Sequence, residues 1–83
     1  MRKIIYLKSA YKVLAEYEKD TRRRIVDAIE KIPQGDIKRL QGEIYPPLYR
    51  LRIGKFRIIY HIYHIENGEI IIAKIDTRGD VYK

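Results

Sequence analysis

The fold of this chain is decided by Tyr49–Tyr82, which reads YRLRIGKFRIIYHIYHIENGEIIIAKIDTRGDVY. Three runs of alternating residues, rich in isoleucine and tyrosine, are separated by two short turns that contain glycine. Alternation with a period of two, interrupted by glycine turns, is typical of β-strands joined by hairpins. The stretch therefore predicts an antiparallel meander of three strands.

The second turn, Asn67-Gly68, sets the predicted register of the last two strands. This pair of residues is typical of a type I′ hairpin turn, which needs a positive φ at both central positions. A two-residue loop at this point predicts His61 opposite Lys74 and Arg57 opposite Arg78.

The first turn, Gly54-Lys55, sets the predicted register of the first two strands. Glycine in the first position favours a type II′ turn with a two-residue loop. That loop predicts Arg52 opposite Arg57 and Arg50 opposite Ile59. A slip of one residue in either turn would move the side chains of a strand to the other face of the sheet.

Because side chains alternate between the two faces of a strand, this register gives the meander a cationic face and an apolar face. The cationic face carries Arg50, Arg52, Arg57, His61, Lys74 and Arg78. The apolar face carries Tyr49, Leu51, Ile53, Phe56, Ile58, Tyr60, Ile62, Ile71, Ala73 and Ile75. Like charges that face each other across strands destabilise a sheet. The cationic face therefore indicates either solvated arginines or an anion-binding site, and the second interpretation is favoured because local conflicts mark functional positions.

The composition is that of a small basic protein. The 83 residues predict one domain, and the net charge of +7 favours polyanionic partners such as nucleic acid. There is no cysteine, which excludes a disulfide framework and a thiolate metal site. No apolar run approaches the length of a membrane span and no signal-peptide pattern opens the chain. We therefore expect an intracellular, cytoplasmic protein.

Two helices are predicted ahead of the meander, after a short strand over residues 2–7. Ser9 is a candidate N-cap for a helix over residues 10–18. Asp20 or Thr21 is a candidate N-cap for the second helix, which carries an apolar stripe on one side. The isoleucines of that stripe are Ile25, Ile29 and Ile32.

The order of these elements predicts the fold class. Three arginines at 22–24 fall in the first turn of the second helix, where they indicate a solvated helix face or a contact with phosphate. Residues 33–47 are predicted to be irregular. The order β-α-α-β-β-β predicts a single α+β domain over residues 1–83, with a helical hairpin packed on one face of a small, mainly antiparallel sheet.

The sequence offers few groups for acid–base or metal chemistry. No two carboxylates are placed to share a proton, and there is no glycine-rich phosphate loop. His61 and His64 are three apart on a predicted strand, so they point to opposite faces and do not form a two-histidine metal site. We expect no cofactor. What remains is the arginine cluster, together with Tyr82, which lies four residues after Arg78.

An arginine cluster is suited to phosphoryl chemistry. Guanidinium forks match phosphate oxygens, and converging arginines can stabilise a pentavalent phosphoryl transition state without a metal. Such a site could cleave RNA by directing a 2′-hydroxyl onto the adjacent phosphate. Arginine stays protonated and is a poor base. A tyrosine, lysine or histidine whose pKa is lowered by the cations would have to transfer the proton.

Several motifs, taken in order, resemble the RelE/ParE superfamily of toxins from toxin–antitoxin pairs. They are Leu40-Gln41-Gly42, Tyr49-Arg50-Leu51-Arg52-Ile53-Gly54, Arg57-Ile58-Ile59-Tyr60 and Thr77-Arg78-Gly79-Asp80-Val81-Tyr82, the last of which is similar to the family ending H-R-R-D-V-Y. The resemblance covers nearly the whole chain. It implies a compact toxin bound by a cognate, RelB-like antitoxin in a heteromeric complex. Its RelE-like branch implies a ribosome-dependent endoribonuclease, an mRNA interferase that cuts mRNA in the A site.

The resemblance also implies roles for single residues. Arg57 matches the strand arginine that holds the scissile phosphate. Arg78 matches the arginine assigned to transition-state stabilisation or acid catalysis, and Tyr82 matches the tyrosine that orients the substrate base. The RNA-binding residues predicted beside these three catalytic ones are Arg50, Arg52, Lys55, His61 and Lys74.

The chain departs from the superfamily pattern at positions that bear on proton transfer. Arg50 and Arg52 stand where some members carry lysines, and Thr77 stands where a histidine is frequent. Two alternatives to the nuclease stay open at this point. One is a non-enzymatic toxin of the ParE-like branch, which inhibits DNA gyrase, and the other is an RNA-binding module without toxicity.

Overall fold

The fold is a five-stranded sheet with two helices on one face. The computed structural model describes residues 3–40, 47–63 and 68–77. The elements within these ranges are β1 (Lys3–Tyr6), α1 (Lys8–Glu16), α2 (Lys19–Glu30), β2 (Asp36–Arg39), β3 (Leu48–Ile53), β4 (Phe56–Tyr63) and β5 (Glu69–Thr77). The strand order is β1-β5-β4-β3-β2, with β1 parallel to β5 and every other neighbouring pair antiparallel. The predicted fold class is confirmed, and the first strand lies at an edge of the sheet.

The sheet has one strand more than predicted. This additional strand, β2, lies within residues 33–47, which were predicted to be irregular, and that prediction is wrong. β2 pairs antiparallel with β3, with Asp36 opposite Arg52 and Arg39 opposite Tyr49. Its four residues, DIKR, give no strand signal because charged residues are depleted in strands. Short, charged edge strands are nevertheless common, because charge at an edge prevents pairing with other chains.

The start of α1 is set by the sheet. Leu7 occupies the N-cap position without a side-chain cap, so the predicted cap at Ser9 is wrong. The backbone N–H of Leu7 donates to the carbonyl oxygen of Ile72 at 3.0 Å, and the Leu7 carbonyl oxygen accepts the N–H of Tyr11 at 2.9 Å. The chain therefore passes from its last sheet bond directly into the first helical turn.

The second helix begins earlier than predicted. Its N-cap is Glu18, also without a side-chain cap bond, so Asp20 and Thr21 lie inside the helix and do not cap it. The arginines at 22–24 consequently lie past the first turn. Among the described residues, no helix is long and apolar enough to cross a membrane.

Arg22 joins the two helices. Its Nη1 donates to the carbonyl oxygens of Ala15 and Tyr17 at 3.3 and 3.2 Å, where α1 ends. A cation at a helix C-terminus binds unpaired carbonyls and interacts favourably with the helix dipole. The sequence left two interpretations of the arginines at 22–24, a solvated helix face or a contact with phosphate. The solvated face describes only Arg23 and Arg24, which are exposed.

We expect Arg22→Ala to lower the free energy of unfolding by about 1 kcal/mol, because carbonyls at the end of α1 lose a charged donor. Urea denaturation measures this change. Arg23→Ala is the matched control, because Arg23 is exposed and the substitution removes the same charge. It should change the free energy of unfolding by no more than about 0.5 kcal/mol. Equal losses in the two variants would contradict the capping role.

The core lies between the helices and one face of the sheet. The buried apolar residues are Ala10, Leu14, Ile25, Ile29, Ile32, Leu51, Phe56, Ile58, Tyr60, Ile70, Ile72 and Ile75. The three isoleucines predicted for the buried side of the second helix are buried, although Ile32 lies beyond the end of α2. Most of the predicted apolar face is confirmed, with Tyr49, Ile53 and Ile62 packed against the core.

The core departs from the prediction in β5. Ile71 and Ala73 were predicted on the apolar face, but Ile70 and Ile72 are buried there instead. Ile75 is buried as well, and it is three residues from Ile72, so a regular alternation cannot bury both. The register shift between Ile59 and Tyr60 supplies the extra residue on β5. Compared with the predicted register, this β-bulge places Ile70 and Ile72 in the core instead of Ile71 and Ala73. The apolar surface removed from water is larger as a result.

The register of the second hairpin is therefore not the predicted one. Tyr63 pairs with Glu69, and a two-residue loop at Asn67-Gly68 would not give this register. His61 pairs with Ile71 rather than with Lys74. The first hairpin does have the predicted register. Gly54 has a φ of 57° and no non-glycine residue among those described has a positive φ, as a type II′ turn requires.

Candidate anion-binding site

Four charged side chains form one row across the sheet face opposite the helices. Asp36, Arg52, Arg57 and Asp76 are successive cross-strand partners on β2, β3, β4 and β5. We call these four residues the charged row. The two arginines stand at its centre and the two aspartates at its ends. Each arginine therefore has a like charge on one side and a carboxylate on the other.

Arg57 and Asp76 form a two-pronged ion pair. The Arg57 Nε donates to Oδ1 of Asp76 at 3.2 Å, and Nη2 donates to Oδ2 at 3.1 Å. The side chains are 24% and 21% exposed, so the pair is partly removed from water. The predicted pairing of Arg57 with Arg78 is wrong, because the observed register and its bulge bring Asp76 opposite Arg57. A carboxylate thus replaces the expected like charge.

Arg52 is the less compensated arginine of the row. Its Nε is buried without a hydrogen-bond partner, and none of the described carboxylates forms an ion pair with it. A buried donor without an acceptor is costly, and the cost is greater for a charged group. Arg57 stands directly across from it, as predicted. The centre of the charged row therefore offers a guanidinium that an anion would satisfy.

A second row of side chains lies beside the charged row. Arg50 is opposite Lys38 and Ile59, and Ile59 is opposite Lys74. The Arg50 Nη2 lies 3.5 Å from Oδ1 of Asp36, while its Nε is buried without a partner. Lys74 is 66% exposed and lies 3.6 Å from Oδ2 of Asp76. Each aspartate of the charged row thus forms an ion pair with a cation of the second row.

The two rows bring together four of the predicted site residues, namely Arg50, Arg52, Arg57 and Lys74. His61 lies on the same face, between Leu48 and Ile71, but four residues along the strand from Arg57, which is about 13 Å. Lys55 lies in the Gly54-Lys55 turn, with Nζ 5.6 Å from the ring centroid of the core residue Phe56. The ammonium of Lys55 is therefore directed to the helix side of the sheet. Arg78 and Tyr82 lie outside the described residues.

Proton transfer and metal binding have few candidates in the described ranges. Burial raises the pKa of the Tyr6 phenol, and the nearby carboxylate of Glu30 raises it further. Tyr6 lies on the core face, so it stays neutral near pH 7 and is a packing residue. Among the described residues, no group of three histidine, cysteine or acidic side chains is arranged to hold a metal ion.

The chain matches, over residues 4–82, the family described as the ParE toxin of the type II toxin–antitoxin system parDE. The chain belongs to this family. The resemblance seen in the motifs is confirmed by that match and by RelE1 of Methanocaldococcus jannaschii, which is 48% identical over 48 residues. Those residues are 58% of this chain, and the match spans half the length of RelE1.

Solved structures of similar fold include toxins in complex with antitoxins. The archaeal RelE of the RelE–RelB complex from Pyrococcus horikoshii has a TM-score of 0.75 and 29% identity, over 94% of this chain and 96% of the other. The RelB–RelE complex from Methanococcus jannaschii gives a TM-score of 0.71 and 25% identity, over 94% of each chain. The ParE-family chain described here therefore shares its fold with proteins named RelE.

The aspartates of the charged row are the site residues that the sequence interpretation missed. The sequence GEIIIAKIDT does contain a signal for Asp76. Glu69 has an odd residue number, whereas Lys74 and Asp76 have even ones, so a regular strand would place Glu69 on one face and the other two on the opposite face. A strand with one outward face cannot expose all three without a bulge. Asp36 has no such signal, since the strand that carries it was not predicted.

Proposed function

We propose that this ParE-family chain is the toxin of a toxin–antitoxin pair and that it is a metal-independent, ribosome-dependent mRNA endoribonuclease. The observation that carries the proposal is the centre of the charged row, where Arg52, with a buried and unsatisfied Nε, faces Arg57 across the strands. A phosphate would supply the acceptor that Arg52 lacks. The likeness to two archaeal proteins named RelE supports the nuclease branch.

In the proposed reaction the 2′-oxygen of a nucleotide attacks the adjacent phosphorus while the bond to the 5′-oxygen breaks. Arg57 and Arg78 hold the phosphate and stabilise the charge that develops on its oxygens. Tyr82 orients the base and assists proton transfer. Arg50, Arg52 and Lys74 bind the RNA backbone. One group takes the 2′-proton and another protonates the leaving 5′-oxygen, which balances the reaction.

The proposed partner is a cognate antitoxin of RelB type. RelE of Pyrococcus horikoshii and RelE of Methanococcus jannaschii are each seen in a complex with RelB. In the two described rows, Arg50, Arg52, Arg57 and Lys74 outnumber two carboxylates, so an acidic segment that folds on binding would complement this face. An antitoxin on this face would also exclude RNA from it. The proposed site of action is the cytoplasm, where ribosomes and mRNA meet.

Toeprinting on a ribosome programmed with a defined mRNA tests the nuclease. We expect the wild type to create a new 3′ end in the A-site codon, and we expect Arg78→Ala to abolish it because a charge on the transition state loses its donor. Circular dichroism checks that the variant keeps its fold. A preparation that arrests growth in cells but makes no cut would contradict the nuclease.

The second candidate function is inhibition of DNA gyrase without catalysis. It is favoured by one observation, namely that the matching family is described as the ParE toxin. A supercoiling assay with purified gyrase separates the two functions. Inhibition of supercoiling, with intact mRNA on the ribosome, would assign the face to protein binding. RNA binding without either effect would assign it to a non-toxic RNA-binding module.

A further inference from the structure

We propose that Asp76 is a positioning residue, whose carboxylate holds the Arg57 guanidinium in place for the phosphate. The inference rests on the proposed nuclease function and adds a residue to its site. Asp76 is hydrogen-bonded to one of the two arginines at the centre of the charged row, and it binds Arg57 at two points rather than one. A two-point bond fixes the plane of a guanidinium as well as its distance.

The geometry of the pair favours positioning. Asp76 accepts from Nε and Nη2 of Arg57, which uses two of the five N–H groups that a guanidinium carries. The pair is partly buried, and its two residues stand opposite each other on paired strands, which restricts both side chains. A donor that is already oriented needs no reorganisation when charge develops on a phosphate. Asp76 would thus raise the rate of cleavage even though its charge repels RNA.

If Asp76 positions Arg57, loss of its carboxylate changes RNA binding and cleavage in opposite directions, and this difference tests the inference. Loss of the carboxylate should strengthen RNA binding, because the face gains one unit of positive charge. The same loss should slow cleavage, because Arg57 is no longer fixed. If Asp76 only competed with RNA for Arg57, its loss would strengthen binding and speed cleavage together.

The test compares Asp76→Asn with the wild type on ribosomes programmed with mRNA, in single-turnover cleavage. We expect the cleavage rate to fall about tenfold to a hundredfold, as for a misplaced catalytic donor. Affinity for an RNA whose 2′-hydroxyl is methylated, which cannot be cut, should rise, with a salt slope steeper by about one. Asp76→Glu keeps the carboxylate and should recover part of the rate.

Asp27→Asn is the matched control, because it removes one carboxylate in the same way but from outside the charged row. Asp27 is an exposed residue of α2, on the helix side of the sheet. This control should cleave within about twofold of the wild-type rate. An equal slowing in both variants, or faster cleavage by Asp76→Asn, would overturn the positioning role.

A measurement on the free protein separates this inference from the nuclease proposal. The ¹⁵N-bound Nε proton of Arg57 should exchange slowly with water in the wild type and rapidly in Asp76→Asn. If the wild type does not cut mRNA but its Arg57 Nε proton exchanges slowly, the nuclease function is rejected and the positioning of Arg57 by Asp76 is retained. If this proton exchanges equally fast in the two proteins, the positioning of Arg57 by Asp76 is rejected, whatever the result of the ribosome assay.

Discussion

Replacement of Arg57 by alanine is expected to lower the single-turnover rate of mRNA cleavage by about a hundredfold to a thousandfold. This is the range for removal of one donor that stabilises charge in a transition state. The side chain projects from the start of β4, on the face away from the core, so the apolar packing of the sheet is not changed. Quench-flow measurement on programmed ribosomes gives the rate.

The Arg57→Ala variant has a second effect that must be separated from the first. Asp76 loses its main partner and, among the described residues, keeps Lys74 at 3.6 Å, so we expect a loss of about 1 kcal/mol in unfolding free energy. The double variant Arg57→Ala/Asp76→Ala removes both charges, and it should regain stability without regaining cleavage. Arg23→Ala, which removes an exposed cation from α2, should cleave normally. Recovery of cleavage in the double variant would contradict a direct role for Arg57.

Replacement of Ile58 by alanine is expected to lower the free energy of unfolding by about 2–5 kcal/mol. Ile58 has no exposed surface and stands between the buried residues Leu51 and Ile75 on the neighbouring strands. Truncation there leaves a cavity lined by residues of three strands, which the sheet cannot close without moving its hydrogen bonds. Urea denaturation, followed by circular dichroism, measures the loss.

A matched control for Ile58 is Tyr11, a large side chain that is 63% exposed on α1. Tyr11→Ala should change the unfolding free energy by about 0.5 kcal/mol or less, because little apolar surface is lost. A domain of this size is stabilised by only about 4–12 kcal/mol in total. Ile58→Ala should therefore populate unfolded chains at temperatures that leave Tyr11→Ala folded. Similar losses in both would mean that Ile58 does not belong to the structural core.

The sequence predicted those parts of the fold that depend on short-range signals. Gly54 gave the correct first hairpin, and with it the pairing of Arg52 with Arg57. The isoleucine spacing in the second helix gave its buried side. These signals work because a turn or a helical face is specified within a few residues.

The sequence did not predict the features that depend on the whole sheet. The bulge near Ile59 allows three isoleucines of β5 to be buried in the core. The turn signal at Asn67-Gly68 is local, and it predicted a different register. The partner of Arg57 changed with that register. β2 is a strand because β3 offers it an edge, and a prediction from its own four residues cannot include that edge.

The parallel pairing of β1 with β5 has a consequence for how the protein is made. Lys3 pairs with Glu69, so residues near opposite ends of the chain are neighbours in the sheet. Contacts between distant residues slow folding, and they cannot form before the later residue has left the ribosome. A nascent chain that stops before Glu69 has neither a docked β1 nor Asp76. The sheet can be finished only after β5 has left the ribosome, and the charged row needs Asp76 from that strand.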